Sequence, residues 1–570
     1  MRFACLIVGL FTFFQCQCQW RENTSPSYLE LIGYLQKIDK EHKEIKLFNM
    51  GNSDFGLPIY LLVINAEKDS LKTFQKARKS TTILINNAIH PGEPDGINAS
   101  LIWIDEWIRQ GKPNKTKNGE SLPVIAFIPA YNIGGMMNRS STSRANQNGP
   151  EEYGFRGNAR NLDLNRDFIK MDSENAFTFA RIFHSLDPDV FVDNHVSNGA
   201  DYQYTLTYIS SMKERMSPAL QQLTYSNCIP NLTKNLASKG IDLFPYVELK
   251  NQTPEGGIVA FNDLPRYAMG YSSLFHALSF TVETHMLKPF PERVEATYQF
   301  LDELISWTTN HSLEIESSRS EAIQWSMNQK EFRYNYTLSD DEDSILFKGF
   351  ESTNPIDSTT GLKRLFYDRS KSYFKKVPYY QTHVSKSEVK IPSYFIIGSQ
   401  EKEVIERLKM NQVMYQTITK DSTVEVNRYR IEKFKSLDKP YEGHFKHHSV
   451  QFEKFKVTQS LKKGDILIPT KQKAMFYLLS TLIPDAEDSY FSWNFFDSYL
   501  QQKEYFSSYV FIDQAKFILE NNPKLKVEFD KRKNENEQFR NSEWEQLYFI
   551  YKNSEFFEKS FMILPVYSID

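Results

Sequence analysis

The chain has 570 residues, of which 40% are hydrophobic and 24% are charged, so it is long enough for two or more packed units. This composition excludes a disordered or collagen-like protein. The 68 lysines and arginines against 71 aspartates and glutamates give a formal net charge of −3, which lacks the basic excess of nucleic-acid binding proteins, so we expect no nucleic-acid partner.

The N-terminus has the pattern of a signal peptide. Arg2 precedes the apolar run FACLIVGLFTFF, which is too short to span a bilayer but suits the core of a signal peptide. Small side chains at Cys16 and Cys18 predict cleavage near Cys18, so that residues 1–18 would be removed. A buried strand or a retained anchor is the alternative interpretation. We expect a secreted, periplasmic or cell-surface protein whose one remaining cysteine is Cys228, with no membrane span after signal removal.

Residues 25–312 predict an α/β domain. Short apolar runs that are typical of strands alternate with segments at helical spacing. The predicted strands are 57–64, 82–87, 124–128 and 188–193, and the predicted helices are 97–110, 174–185 and 293–309. This alternation predicts a mixed central sheet with helices on both faces. Reactive groups of such sheets lie in loops beyond the carboxyl ends of the strands.

The rest of the chain has a different character. We interpret residues 313–345 as a linker and residues 346–570 as a β-rich second domain with some helices, whose function the sequence does not indicate. The aromatic segment 489–496 is interpreted as a packed core between the two domains. Three histidines, His444, His447 and His448, lack a carboxylate pattern, so we interpret them as part of a solvated strand rather than as a metal site.

Two motifs of the first domain contain metal-binding side chains. His90 and Glu93 frame the loop His-Pro-Gly-Glu after a predicted strand, where both side chains can face one pocket. Alone, this spacing also fits a loop histidine beside a helix-capping acid. His195 follows the next buried run, VFVDN, and could supply a third donor from a neighbouring strand. A His-Glu-His set leaves a coordination position for water, which is typical of catalytic zinc.

With these residues in place, the sequence resembles the zinc carboxypeptidase family of the carboxypeptidase A type. The resemblance depends on four motifs in the family's order and covers residues from about 25 to 310. They are HPGE at 90–93, LDLNRD at 162–167, NHVSNG at 194–199 and FTVET at 280–284. The resemblance implies one Zn²⁺ per chain, held by His90, Glu93 and His195, and a peptide substrate.

The resemblance also implies roles for residues around the metal. Glu283 matches the carboxylate that takes a proton from water and passes it to the leaving amine. Asn165 and Arg166 match the pair that holds the free carboxylate of a peptide's C-terminus. The family usually has Asn where this chain has Asp167, and an added negative charge there would weaken carboxylate binding unless a cation compensates.

Two further roles have more than one candidate. Arg156 is our choice for the arginine that polarises the scissile carbonyl, with Arg139, Arg144 and Arg160 as alternatives. Tyr267 and Tyr271 both lie where the family has the tyrosine that closes over the substrate, although a tyrosine here also suits a core or rim position.

We therefore expect an exported zinc metallocarboxypeptidase. A close alternative keeps the metal site but cleaves another amide, in murein peptides or acylated amino acids. A third interpretation is a surface binding protein without catalytic activity, which predicts a missing ligand or a missing general base.

Overall fold

The computed structural model describes residues 20–111 and 122–570 of the chain. The signal peptide predicted at 1–18 lies outside these described residues. Within them, no helix combines the length and apolar content that a membrane crossing requires.

The N-terminal region, residues 20–311, is built on strands that alternate with helices. The strands are β1 (Ile45–Asn52), β2 (Pro58–Ile64), β3 (Thr82–Asn86), β4 (Val124–Ile128), β5 (Val190–Ser197), β6 (Leu206–Ser210), β7 (Leu243–Pro245), β8 (Glu248–Leu249), β9 (Ile258–Val259) and β10 (Leu278–His285). The helices are Tyr28–Glu41, Ser70–Ala77, Asp95–Arg109, Ile133–Met137, Glu174–Leu186, Pro218–Gln221, Ile229–Ser238, Ala268–Ser273 and Phe290–Asn310.

Strands of this region form a mixed sheet in the order β1-β2-β4-β3-β5-β10-β6-β7. Its centre is parallel, because β4, β3, β5 and β10 run in one direction, while β2 and β6 flank them in the opposite direction. Every residue of β3, β4 and β5 is buried. Since successive side chains of a strand point to opposite faces, helices must cover both faces of the sheet. The predicted fold class is confirmed.

The C-terminal region, residues 312–570, is rich in β-structure, as the sequence predicted. Its strands are β11 (Glu331–Leu338), β12 (Asp343–Thr353), β13 (Phe366–Tyr380), β14 (His383–Lys390), β15 (Tyr394–Ile397), β16 (Gln416–Thr417), β17 (Ser422–Ser436), β18 (His447–Leu461), β19 (Ile466–Pro469) and β20 (Ile563–Ile569). The largest sheet here has the order β16-β19-β15-β20-β17-β18. The helices are Ser312–Met327, Lys402–Met410, Met475–Leu482, Ser508–Asn521, Pro523–Glu535, Glu537–Arg540 and Glu543–Lys552.

The segment predicted as a linker, 313–345, has regular structure. It contains most of the helix Ser312–Met327 and the whole of β11, and it ends inside β12. Buried Ile315 and Ala322 belong to the main hydrophobic core, which explains why this polar stretch is ordered against its neighbours. The division of the chain into domains stays a prediction.

The two regions share packing and hydrogen bonds. One hydrophobic core contains side chains from both, including Val282 and Phe395. Strand β9 of the N-terminal region pairs with β13, so that the second region contributes to a shared sheet of order β12-β13-β9-β8. The aromatic segment 489–496 packs at this junction, where Trp493 is fully buried with Arg266 over its ring. The predicted packing of this aromatic segment between the regions is confirmed.

Two of the three histidines of the C-terminal region, His444 and His447, do not fit the interpretation as a solvated strand. His444 Nε2 lies 2.8 Å from Asp172 Oδ2 of the N-terminal region. His447 is buried and lies 2.9 Å from Asp497 Oδ1, whereas His448 is exposed. Both contacts are partly buried hydrogen bonds that the alternation of the strand alone could not reveal.

Candidate metal centre

The loop after β3 and the strand β5 bring three metal-binding side chains together. His90 and Glu93 lie between β3 and the helix Asp95–Arg109, and His195 lies within β5, which pairs with β3 in parallel. His195 Nδ1 is 3.0 Å from Glu93 Oε2, and His90 Nδ1 is 3.2 Å from Glu93 Oε1. One donor atom of each residue lies within 4.8 Å of the others. The structure thus brings together the three residues predicted to bind zinc.

Each of the two imidazoles contacts one aspartate on the side that faces away from Glu93. Asp163 Oδ1 lies 2.9 Å from His90 Nε2, and Asp193 Oδ2 lies 2.7 Å from His195 Nε2. These contacts direct both Nδ1 atoms toward Glu93. His90 Nδ1 is buried and has no hydrogen-bond partner. A buried donor set with an uncommitted nitrogen and carboxylate-supported histidines fits a zinc ion.

Glu93 is buried yet kept ionised by its surroundings. Burial alone would raise the pKa of this carboxyl, but His90, Arg144 and His195 outweigh burial and hold the pKa well below its usual range. Arg144 Nη2 donates to Glu93 Oε1 at 2.7 Å, and the backbone N–H of Val196 donates to Glu93 Oε2 at 2.9 Å. The donor set therefore has the negative charge that a divalent cation needs.

Glu283 stands beside these three residues on the neighbouring strand. It is directly opposite His195 in the parallel pair of β10 and β5. Its Oε2 is shielded from solvent and has no hydrogen-bond partner. Burial, helped by the charges of Glu93 and Asp193, raises the pKa of Glu283 to about 8 against the opposing effect of His195. Such a carboxyl can exchange a proton near neutral pH.

A cavity of about 290 Å³ opens over the cluster, and all four residues line it. Other lining residues are the cationic or amide side chains Arg144, Arg156, Asn165 and Arg166, and the apolar or aromatic side chains Ile209, Tyr246, Phe261, Tyr267 and Met269. A larger cavity of about 510 Å³ lies against 325–336 and contains none of the predicted site residues.

The predicted carboxylate-binding pair sits on a short turn at the wall of this cavity. Asn165 and Arg166 belong to the 3₁₀ turn Leu164–Arg166, in which the backbone N–H of Asn165 donates to Asp163 Oδ1 at 2.9 Å. Asn165 Oδ1 accepts from the backbone N–H of Ala268 at 3.0 Å. The Arg166 guanidinium lies 4.6 Å from the centre of the Tyr267 ring. Both side chains are thus held in place before any ligand arrives.

Asp167 does not place its charge in the cavity. It is fully buried, and its Oδ1 accepts from Lys170 Nζ at 2.7 Å. Its Oδ2 accepts from the backbone N–H and the hydroxyl of Ser173. Lys170 is therefore the compensating cation, and Asp167 does not pair with Arg166, whose Nη1 donates to Asn165 O at 2.9 Å and whose Nη2 lies 3.9 Å from Asp163 Oδ2.

Two of the candidate arginines line the cavity and two do not. Arg156 Nε donates to Asp163 Oδ2 at 3.0 Å, and its Nη1 lies 3.7 Å from Glu93 Oε1. Arg144 lies on the same cluster through Glu93, so it stays an alternative to Arg156. The remaining candidates bond to backbone carbonyls elsewhere, which are Ser25 O and Pro26 O for Arg139 and Asp172 O for Arg160.

The assignment of Tyr271 to substrate binding is wrong. Its ring is buried among phenylalanines, and its hydroxyl donates to Asn411 Oδ1 at 2.5 Å. Tyr271 lies inside the helix Ala268–Ser273 and faces the core, whereas Tyr267 precedes that helix in an extended conformation and reaches the cavity. Sequence spacing alone could not separate a residue at the helix start from one a turn later.

Several residues of the site were not given roles from the sequence. Asp163 lies inside the LDLNRD motif and Asp193 inside VFVDN, so an acid beside each motif was the available signal. Tyr246 also lines the cavity, and after burial the charge of Glu283 raises its pKa further. No local pattern marked Tyr246, because it enters the site from the loop after β7.

Comparisons with solved structures found metallo-carboxypeptidases that are similar to part of this chain. No protein-family model and no curated protein matches the chain. A metallo-carboxypeptidase from Burkholderia cenocepacia is similar at 14% identity and a TM-score of 0.36, over 50% of this chain and 69% of that one. One from Pseudomonas aeruginosa is 17% identical, with a TM-score of 0.36 and coverage of 50% and 68%. Carboxypeptidase A from Helicoverpa armigera is 14% identical, with a TM-score of 0.34 and coverage of 53% and 74%. At such identities, the functional argument rests on the side chains of this chain.

Proposed function

We propose that this protein is a zinc-dependent metallocarboxypeptidase that removes the C-terminal residue of peptides. The observation that carries the proposal is the convergence of His90, Glu93 and His195 in one cavity with Glu283, whose buried Oε2 is unpartnered. In a structural ion cluster, most buried polar atoms have partners within the protein. Here a nitrogen and an oxygen remain available for chemistry.

The three metal-binding residues and Glu283 would have different roles in hydrolysis. A zinc ion held by His90, Glu93 and His195 would lower the pKa of bound water to about 7. Glu283 is placed to accept a proton from the attacking water at its carboxylate and then to donate it to the leaving amine. Asp163 and Asp193 keep each imidazole in the orientation that presents Nδ1.

Cationic side chains of the cavity complete the arrangement. Arg156 is placed to hydrogen-bond the carbonyl oxygen as negative charge develops on it. Arg166 is placed to make two parallel hydrogen bonds with a terminal carboxylate, with Asn165 beside it. This grip on a free C-terminus supports removal of single residues rather than internal cleavage.

The uncharged part of the cavity supports a preference among terminal side chains. Ile209, Phe261 and Met269 line it and have no charge to neutralise a charged side chain. An ionic group placed against them would lose its hydration without gaining a partner. We therefore expect peptides that end in Leu or Phe to be cleaved with at least 10-fold higher kcat/KM than those that end in Lys.

Metal analysis combined with hydrolysis of N-blocked dipeptides tests the proposal. The wild type should contain about one zinc per chain and release the terminal amino acid. Glu283→Gln should keep the zinc and lose activity by roughly 10²- to 10⁴-fold, because the amide cannot accept the proton. A Glu283→Gln variant as active as the wild type would show that Glu283 is not the base.

A second candidate uses the same centre on a different amide, as in murein peptides or acylated amino acids. It differs in whether a free terminal carboxylate is needed. In the carboxypeptidase, Arg166→Ala should raise KM for peptides with a free C-terminus and leave C-terminally blocked substrates unaffected. Equal effects on both substrates would favour the second candidate.

We also propose that the protein is exported, on the basis of the apolar run after Arg2. The free thiol of Cys228 is buried, and burial raises its pKa well above the usual range, so this thiol is unreactive. Sequencing the N-terminus of protein recovered outside the cytoplasm should give Gln19 as the first residue. Recovery with residues 1–18 attached would contradict cleavage.

A further inference from the structure

A hairpin of the C-terminal region reaches the site through a single carboxylate. The connection between β17 and β18 contains a tight turn at Tyr441–His444, whose end residues exchange backbone hydrogen bonds of 2.8 and 3.1 Å. At its tip, Glu442 Oε2 accepts the backbone N–H of Asp163 at 2.7 Å. Asp163 is the residue that holds His90 Nε2.

The turn is built to present that side chain. Glu442 has a φ of +50° and Gly443 a φ of +84°, which is the left-handed pair that a two-residue hairpin turn requires. Glycine suits such a φ, but glutamate does not, and Asn or Asp would be the favoured non-glycine residues. A glutamate here therefore carries a conformational cost that its contact with Asp163 can offset.

Both ends of the turn are fixed to the rest of the protein. The Tyr441 ring stacks on Trp493 with centroids 6.0 Å apart. His444 Nε2 lies 2.8 Å from Asp172 Oδ2. The tip thus has little freedom to move away from Asp163.

Glu442 makes its hydrogen bond to the site at Asp163. It does not line the cavity, and its contact is with a backbone N–H group. Asp163 in turn contacts His90 through Oδ1 and Arg156 through Oδ2. Any rotation of the peptide group before Asp163 would move the carboxylate that orients both side chains.

We propose that Glu442 is a positioning residue through which the C-terminal region holds a metal ligand of the N-terminal region in place. The proposal rests on the proposed zinc site, since its effect is transmitted to His90. The β-rich region would then be a required part of the centre rather than an appended module, because its hairpin supplies an acceptor to the loop that supports the metal.

Three substitutions separate the hydrogen bond from the charge. Glu442→Gln keeps an acceptor at the same reach and removes the charge. Glu442→Asp keeps the charge but is shorter by one methylene, and aspartate is well tolerated at positive φ, so this variant should fold. Glu442→Ala removes both. Glu432→Ala, at an exposed position of the same hairpin, is the control.

Zinc affinity measured by competition with a chelator is the main readout, because it does not depend on peptide hydrolysis. We expect Glu442→Asp and Glu442→Ala to weaken zinc binding roughly 10-fold, within the 10- to 100-fold that loss of an outer hydrogen-bond partner costs. Glu442→Gln and Glu432→Ala should stay within about 2-fold of the wild type. The Asp163 amide should exchange hydrogen faster in the Asp and Ala variants alone.

Other outcomes overturn the proposal. Equal zinc affinity in the wild type, Glu442→Asp and Glu442→Ala would show that the contact does not position His90. Weak binding in Glu442→Gln would assign the effect to charge instead. A wild type that binds zinc but cleaves no peptide would contradict the proposed activity and leave this test intact, whereas a wild type without zinc affinity would remove both.

Discussion

Two regions of buried charge lie close together in this protein and differ in how their polar atoms are used. At the metal centre, His90 Nδ1 and Glu283 Oε2 are buried without a hydrogen-bond partner. In the cluster around Lys170, each oxygen of Asp167 accepts two hydrogen bonds, and Lys170 Nζ bridges Asp167 and Asp172 at 2.7 and 2.8 Å. Of these two regions, only the metal centre has buried polar atoms without a hydrogen-bond partner that could bind a ligand.

The chain connects the two regions through a short stretch. Asp163 contacts His90 of the metal centre. Asp167 lies four residues later in the same motif, but its carboxylate pairs with Lys170 in the other region. Buried charges cost several kcal/mol unless they are paired. A saturated cluster therefore indicates a role in folding, and unsatisfied atoms aimed at one point indicate a role in chemistry.

Substituting one histidine in each region is the strongest test of this contrast. His195→Gln removes a metal donor, so bound zinc should be lost and activity should fall by more than the roughly 100-fold that an outer partner can cost. His444→Gln removes a hydrogen bond to Asp172 and should lower the free energy of unfolding by about 1 kcal/mol. Zinc content and chemical denaturation of both variants provide the measurement.

The contrast would fail if His444→Gln also lost zinc or if His195→Gln kept it. The first result would mean that His444 supports the metal centre, either through the Lys170 cluster or through the turn that carries Glu442. The second would mean that His195 is a structural residue paired with Asp193.

Lys170→Met should lower the free energy of unfolding and leave the catalytic activity unchanged. It leaves the buried carboxylate of Asp167 without its cation, which costs about 3–5 kcal/mol, whereas Asp172 keeps Arg407 at 3.6 Å. Trp493, whose ring lies 5.9 Å from Lys170 Nζ, would lose that contact too. Urea denaturation followed by Trp fluorescence gives the free energy, and Lys420→Met, at an exposed position, is the control. A decrease in the free energy of unfolding below 1 kcal/mol would show that the buried charges around Lys170 are not fully paired in solution.

The same cluster predicts a pH dependence of stability. Despite burial, hydrogen bonds from His444 and the charge of Lys170 lower the pKa of Asp172 to about 2 from an unfolded value of 3.8. The folded state therefore favours the ionised form, and the resulting stability is present above pH 4 and lost as the pH falls toward 2. The difference corresponds to about 2 kcal/mol. Asp172→Asn should flatten the acid unfolding profile between pH 4 and 2, and an unchanged profile would contradict the assignment.

Much of the metal centre could be predicted from the sequence. His90, Glu93 and His195 each follow an apolar run, and parallel strands bring such positions to one edge of a sheet. Glu283 could be predicted because an acid at the end of an apolar strand is costly without a function. That these four residues line one cavity could be predicted because strand order and burial follow from local patterns.

The remaining residues required the tertiary structure. Lys170 neutralises Asp167 only because the chain turns back between them, so the sequence left the Asp167 charge unexplained. Glu442 lies 279 residues from Asp163, and no local pattern reports a pairing at that separation. Tyr271 was misassigned because its side chain faces the core from inside a helix.

Tyr267, just before the helix Ala268–Ser273, and Tyr271, inside it, offer the finest test of the contrast. Tyr267 lines the cavity beside Arg166, so Tyr267→Phe should raise KM for peptides with a free C-terminus by a few-fold, as expected for one lost hydrogen bond of about 1 kcal/mol. Tyr271 lies in the core and contacts Asn411, so Tyr271→Phe should lower the melting temperature and leave KM unchanged. Each variant is the other's control. If Tyr271→Phe changed KM and Tyr267→Phe did not, the core would be coupled to substrate binding. The presence of internal hydrogen-bond partners would then no longer distinguish structural residues from catalytic ones in this protein.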